Sequence, residues 1–289
     1  MPKICYASTN FNSSSLAIIA QANDIIANYQ AQGYVLTLRQ LYYQFVSKDL
    51  LPNTQQSYKR LGSIINDARL AGLIDWEAIE DRTRELSDQA HWQSPSDIVE
   101  ACASQFRYEK WAVQPQRVEV WIEKEALAGV FERVCRKWDV PYLSCRGYGS
   151  QSVMWVSGRR IGAREQPTVI LHFGDHDPSG MDMSRDIVDR LKVFGVRVDF
   201  RRLALNRAQV DKYQPPPNPA KITDSRAQAY IREHGDESWE LDALDPSVLS
   251  ALVEQEIDGL LDKDLWSQEV EREKLARARL QAVADEWED

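Results

Sequence analysis

From about residue 117 the chain alternates short apolar runs with amphipathic stretches, and this alternation restricts its fold more than any other feature. The runs 118–122, 142–145, 168–173 and 196–203 are of strand length. The stretches 124–138, 150–161 and 180–194 between them carry helical spacing, with Met181, Ile187, Val188 and Leu191 on one side of the last. Strand, helix and strand repeated in this order imply an α/β fold: a mainly parallel sheet with helices on both faces. In such a sheet ligands sit beyond the carboxyl ends of the strands, so the residues that follow each apolar run come first.

The first run is followed by W-I-E-K-E-A-L, which puts Glu123 at a strand end with Lys124 and Glu125 starting a helix. The third run, V-I-L-H-F, leads into G-D-H-D-P-S-G, so Asp175 and Asp177 lie at the equivalent level of the sheet. Alternate residues of an extended segment share a side, which lets the two aspartates point the same way. Pro178 and Gly180 then turn the chain into a helix. Three carboxylates converging at one edge repel one another unless a hard cation lies between them, and oxygen-only ligation suits Mg²⁺. Taken alone, D-H-D-P-S-G reads as a loop of turn formers; the combination with Glu123 is more specific. His172 alternates into a buried strand and reads as core. Asp182 suits either a second metal or a helix N-terminus.

The N-terminal part is helical. Leu16, Ile18, Ile19, Ala22, Ile25, Ile26 and Tyr29 recur at helical spacing over 15–32, with Gly33 as a stop. Thr37 with Gln40 is a capping-box pattern that opens a second helix bearing Leu38, Leu41, Tyr42, Phe45 and Val46. A third helix over 54–70 buries Tyr58, Leu61, Ile64, Ile65 and Ala68 and leaves Lys59, Arg60 and Arg69 on another face. The segment 73–83 suits a short strand pair. These elements fit a winged helix-turn-helix, and equally a plain three-helix bundle with a solvated face. On the second helix Tyr42 belongs to the apolar stripe. Tyr43 lies roughly 130° from its centre, with Arg39 beside it one turn back, and is expected to be exposed. Residues 85–112, with Ser94-Pro95-Ser96, read as a linker helix, and 213–220 as an extended Pro-rich connection.

Charge sorts along the chain. The net charge is −9 and the pI near 5.1, yet residues 233–289 hold 18 acidic and 5 basic side chains, a balance of −13. The rest therefore carries +4, and 133–174, which includes Arg146, has seven basic residues against two acidic. That part suits phosphates, with Lys59, Arg60, Arg69 and Arg146 as candidate DNA contacts, while the acidic end is expected to face away from a duplex. No apolar run approaches the roughly 20 residues needed to cross a bilayer. The start has no signal-peptide core, and the four scattered cysteines suit a reducing cytoplasm.

The strand-end E-K-E-A and the later D-x-D-P-x-G resemble the Toprim domain of topoisomerases, primases and related nucleases. Glu123 matches the first motif, and Asp175, Asp177 and Gly180 the second. The resemblance implies Mg²⁺, or Mn²⁺, at Glu123, Asp175 and Asp177, acting on a phosphodiester. A haloacid-dehalogenase-type phosphatase fits less well, because Ser179 stands four residues after the first aspartate. R-x-x-Y-Y in a winged helix ahead of a Toprim domain resembles the topoisomerase VI A subunit and the related meiotic double-strand-break protein.

That family implies Tyr43 as nucleophile, Arg39 as its arginine and a 5′-phosphotyrosyl intermediate on double-stranded DNA. It also implies a homodimer and a separate ATPase subunit. This chain has no G-x-x-x-x-G-K-[ST] loop, hence no ATP site of that kind. The resemblance spans about 14–262 and divides the chain into a winged-helix domain (14–105), a Toprim domain (113–262) and an acidic helix (263–289). The family's G-Y-P-D appears as Gly147-Tyr148-Gly149-Ser150, without the proline and the acid, and the chain looks like the compact "mini-A" form carried on mobile elements. Two other readings stay open: a Toprim nuclease in which the metal activates water, and a DNA-binding protein without chemistry.

Overall fold

The computed structural model describes residues 3–79, 91–220, 224 and 226–286. Three helices come first. Asn12 accepts the Ser15 amide at 2.8 Å and starts α1 (Ser13–Ala31). The Thr37–Gln40 capping box starts α2 (Leu38–Ser47), and Thr54 caps α3 (Gln55–Leu70). Their apolar stripes, including Ile19, Ile26, Leu41, Phe45, Leu61 and Ile65, close into one core. The expected strand pair after α3 is not formed in its described part: residues 76–78 make a 3-10 turn, and Ile79 bridges Leu36 singly. The remainder of that segment, 80–83, lies outside the described residues.

Helix α4 (Pro95–Gln105) leads to the sheet, which is built from β1 (Arg117–Ile122), β2 (Tyr142–Ser144), β3 (Thr168–Phe173) and β4 (Asp199–Ala204). Its order is β2-β1-β3-β4 and every pair is parallel, as the alternation requires. Helices α5 (Ala128–Lys137), α6 (Gln151–Gly162) and α7 (Pro178–Val193) make the crossovers. One face of the sheet, with Val120, Ile122, Leu171 and Phe173, packs against Phe131 and Val134 of α5 and against Val253 and Ile257 of α10 (Pro246–Leu260). The other face, with Trp121 and Ile170, packs against Met154 of α6 and Met183, Ile187 and Leu191 of α7. His172 is buried in β3, as its alternation predicts.

After β4 come α8 (Arg207–Tyr213), the Pro-rich connection, and a two-stranded ribbon of β5 (Asn218–Pro219) and β6 (Glu237–Ser238) around α9 (Ala227–His234). The final helix, α11 (Lys263–Asp285), lies along α4. Its buried Glu273 accepts from Lys110 Nζ at 2.5 Å and from the Tyr108 amide at 2.9 Å, so this acidic helix is tied to the segment that enters the sheet. The helical bundle is joined to the rest through Tyr29 Oη on Asp245 at 2.5 Å and Asn53 on Pro217 and Asn218. Among the described residues no helix is long and apolar enough to cross a membrane.

Candidate active site

The parallel register puts the ends of β1 and β3 side by side, with the Glu123 amide donating to Phe173 O at 2.8 Å. Glu123 Oε2 accepts the Asp175 amide at 2.8 Å, so the first motif holds the loop of the second. The space around this carboxylate is small. A Cβ on Gly174 would sit 2.9 Å from Glu123 Oε2, and one on Gly180 would sit 3.1 Å from it and 2.3 Å from Asp175 O. Glycine at 180 is therefore a steric requirement. Asp177 is the N-cap of α7 and accepts the Gly180 amide at 2.6 Å. Asp175 is almost fully buried, and its Oδ1 accepts the Leu241 amide at 2.7 Å and meets Lys124 Nζ at 3.0 Å.

Burial raises the Glu123 pKa, reinforced by Asp177 and opposed by Lys124 and Arg202. Burial also pushes Asp175 up to about 7 against the pull of Lys124, with Glu123 and Asp242 adding repulsion. Each of the three carboxylates engages a different backbone amide, Glu123 that of Asp175, Asp175 that of Leu241 and Asp177 that of Gly180. Among the described residues no three His, Cys, Asp or Glu side chains are arranged to hold a metal ion. The donor chemistry nevertheless fits a hard cation. All three are carboxylates, each spends one oxygen on a backbone amide, and among the described residues no hydrogen bond reaches the second oxygens.

Lys124 is the centre of a second cluster. Its Nζ lies 2.9 Å from Glu240 and from Asp242, besides Asp175. Arg39 reaches the same acids from α2, pairing with Glu240 and meeting Asp242 at 3.0 Å. Burial opposes the charge on Lys124, but Asp242, Asp175 and Glu240 outweigh it and raise its pKa. Burial likewise works against ionised Glu240, yet Lys124 and Arg39 hold it down at about 2.

Tyr43 corrects the sequence expectation. It is 4% exposed rather than free, because the segment around Glu240 to Ala243 covers the face of α2 that a helical wheel leaves open. Its hydroxyl lies near Glu240 and Arg39, and burial, followed by Asp242 and Glu240, raises its pKa. The Arg39–Tyr43 adjacency expected from i, i+4 spacing is present, with the guanidinium 5.8 Å from the ring centroid. Tyr42 is buried, as expected, and its hydroxyl joins Pro52, Asn53 and Thr54.

The candidate DNA contacts divide. Lys59 and Arg60 are exposed on α3, and Arg60 reaches Ser14 Oγ at 3.0 Å. Arg146, 71% exposed and paired with Glu125, stands next to the strand ends. Arg69 does not belong with them: it donates to Trp76 O at 2.7 Å and stacks on that indole, which secures the turn after α3. Asp182 is held by Tyr148, Arg185 and Arg226, the bonding of a structural carboxylate near a helix start.

Arg202 was not foreseen. Half-buried, it donates to Gly174 O, Asp175 O, Gly180 O and Ser184 Oγ and so braces the aspartate loop from β4. The run around it, V-R-V-D-F-R-R-L, holds Arg197 and Arg201 as well, and nothing in the sequence sets Arg202 apart from them. Glu240 and Asp242 follow none of the four strands of the parallel sheet, so strand-end reasoning does not reach them.

The sequence matches no family model and no curated protein.

Proposed function

We propose that this is a DNA-binding protein with a winged-helix half and a Toprim half that cleaves a phosphodiester with Mg²⁺. One observation carries the reading: Tyr43, Arg39, Glu240, Asp242, Lys124 and Asp175 form an unbroken polar chain from α2 to the strand-end carboxylates. An N-terminal tyrosine and a sheet-edge acid, 132 positions apart in the sequence, thereby meet in one site.

Glu123, Asp175 and Asp177 would hold the ion, which when bound offsets negative charge on the phosphate and the leaving oxygen. Tyr43 Oη attacks phosphorus, the 3′-oxygen leaves, and a 5′-phosphotyrosyl link results. Arg39 orients and neutralises the phosphate. Arg39, whose charge lowers the proton affinity of the buried phenol, lets the phenolic proton pass to water as the bond to phosphorus forms. Lys59, Arg60 and Arg146 supply backbone contacts. Paired cuts call for a homodimer, read by light scattering with and without duplex.

The test is incubation with supercoiled plasmid and Mg²⁺ or Mn²⁺, stopped with detergent and divided into samples with and without protease. Protein-linked breaks that vanish in Tyr43→Phe are expected, and a Tyr43→Phe protein that still forms adducts would overturn the role of Tyr43. The burial of Tyr43 favours a second reading, hydrolysis by metal-activated water. Free 5′-phosphate ends, lost in Asp175→Ala and retained in Tyr43→Phe, select it.

A further inference from the structure

Beside Tyr43 lies a cavity of about 310 Å³ that extends past Arg39 and Glu240 to the start of α3. The rings of Tyr42, Tyr43 and Tyr58 wall it, and the carboxamides of Asn53, Gln55 and Asn218 lie around it. Tyr42 is 5.6 Å from Tyr43 and 5.3 Å from Tyr58, centroid to centroid, at 52° and 68°. Tyr42 and Tyr43 are each 4% exposed, so Tyr58, half-buried, is the ring of the three that leaves most of its surface to the cavity. Asn53 donates to Asn218 Oδ1 at 3.1 Å, which fixes the Asn218 carboxamide and leaves its NH₂ group pointing elsewhere. Among the described residues neither that NH₂ group nor the Gln55 carboxamide has a hydrogen-bond partner.

We propose that this cavity takes one unpaired nucleobase, laid against Tyr58 with its edge read by Gln55 and Asn218. Every base offers a π-face, so aromatic walls suit nucleobases as a class. A carboxamide presents a donor beside an acceptor, the pattern that pairs with the edge of adenine. The volume is at the small end of sites for planar ligands, about 300–1,000 Å³, and admits one ring system rather than a base pair. Gln55 opens α3, and the first residues of the second helix in a helix-turn-helix are those that reach bases. Tyr43 and Arg39 line the same cavity. A base seated there therefore brings its own phosphate to the hydroxyl proposed as nucleophile. The inference rests on the DNA reading above and adds which feature of DNA the site selects. Extracting a base from a paired stack costs free energy that a bulge has already spent, so the cavity favours DNA with a base out of the helix.

The experiment measures fluorescence-anisotropy affinities of the full chain, at one fixed salt concentration, for two duplexes that differ only by a single bulged adenine. The wild type is expected to bind the bulged duplex about tenfold more tightly. Gln55→Ala and Asn218→Ala should each shrink that ratio, and the double variant should bring it near one; unchanged circular dichroism and melting temperature establish that the variants fold. Equal wild-type affinity for the two duplexes overturns the nucleobase site, as does a preference that survives the double variant. If plasmid cleavage persists in either case, the cavity proposal fails while the cleavage reading stands. Binding to neither duplex overturns both.

Discussion

Asp175 and Glu240 touch the same ammonium, Lys124 Nζ, at 3.0 and 2.9 Å, yet their proton affinities move apart. Asp175 rises to about 7 because burial and the nearby Glu123 and Asp242 outweigh one lysine. Glu240 is also penalised by burial, but it has Arg39 as well as Lys124, and it falls to about 2. Residue type does not separate them: Asp175 is the more buried and has Glu123 and Asp242 against it, whereas Glu240 has Arg39 as a second cation. The strand-end group is short of positive charge, which is the condition of a site that takes a cation. The Glu240–Asp242 group is saturated and works as a clamp that seats α2 on the sheet domain and covers Tyr43.

The largest expected effect comes from removing the shared cation. Lys124→Met leaves Asp175, Glu240 and Asp242 with one buried counter-charge fewer, and should cost ~3–5 kcal/mol in urea unfolding. An unchanged midpoint would break the comparison at its centre. Gly180→Ala is next, at ~1–3 kcal/mol, because the new Cβ meets Asp175 O at 2.3 Å and forces the aspartate loop to move. Arg39→Ala should cost about 1 kcal/mol, since the guanidinium is 45% exposed and solvent screens part of its attraction.

The same variant sharpens the pH argument. Glu240 has a folded pKa below its ordinary 4.5, so its contribution is present above 4.5 and is lost as pH falls through about 2. In Arg39→Ala the folded pKa moves back up, and the extra destabilisation of the wild type between pH 4.5 and 2 should shrink. The smallest effect on stability belongs to Lys59→Ala, within about 0.5 kcal/mol, while its DNA affinity should fall with a salt slope reduced by about 1. A stability loss there, or an unchanged slope, would remove Lys59 from the proposed interface.

The sheet could be anticipated because its cause is local. Each apolar run has strand length, each intervening stretch has a helical stripe, and covering helices oblige the strands to run parallel. The strand-end position of Glu123, Asp175 and Asp177 follows from the same pattern, whereas the steric need for glycine at 180 depends on how the loop folds back on Asp175 O. The Thr37–Gln40 capping box marks a helix start because the hydrogen bonds it makes span three residues. The 73–79 segment misled: near-alternation of Ile74, Trp76 and Ile79 resembles a strand, but Arg69 binds Trp76 O and draws the chain into a turn.

The long-range partners had no such signature. Arg39 and Glu240 are separated by 201 positions, and Lys124 and Glu240 by 116. Charged residues at that separation leave no periodic trace, so a wheel drawn for α2 alone assigns Tyr43 to solvent. Local hydrogen bonds and the period of apolar residues settled the helices, the parallel sheet and the level of the acidic residues. Packing of the 239–244 segment onto α2 settled the burial of Tyr43, the pairing of Arg39 and the contrast between Asp175 and Glu240. Burial and ion pairing depend on what lies across a boundary, and only the folded chain brings the two sides of that boundary together.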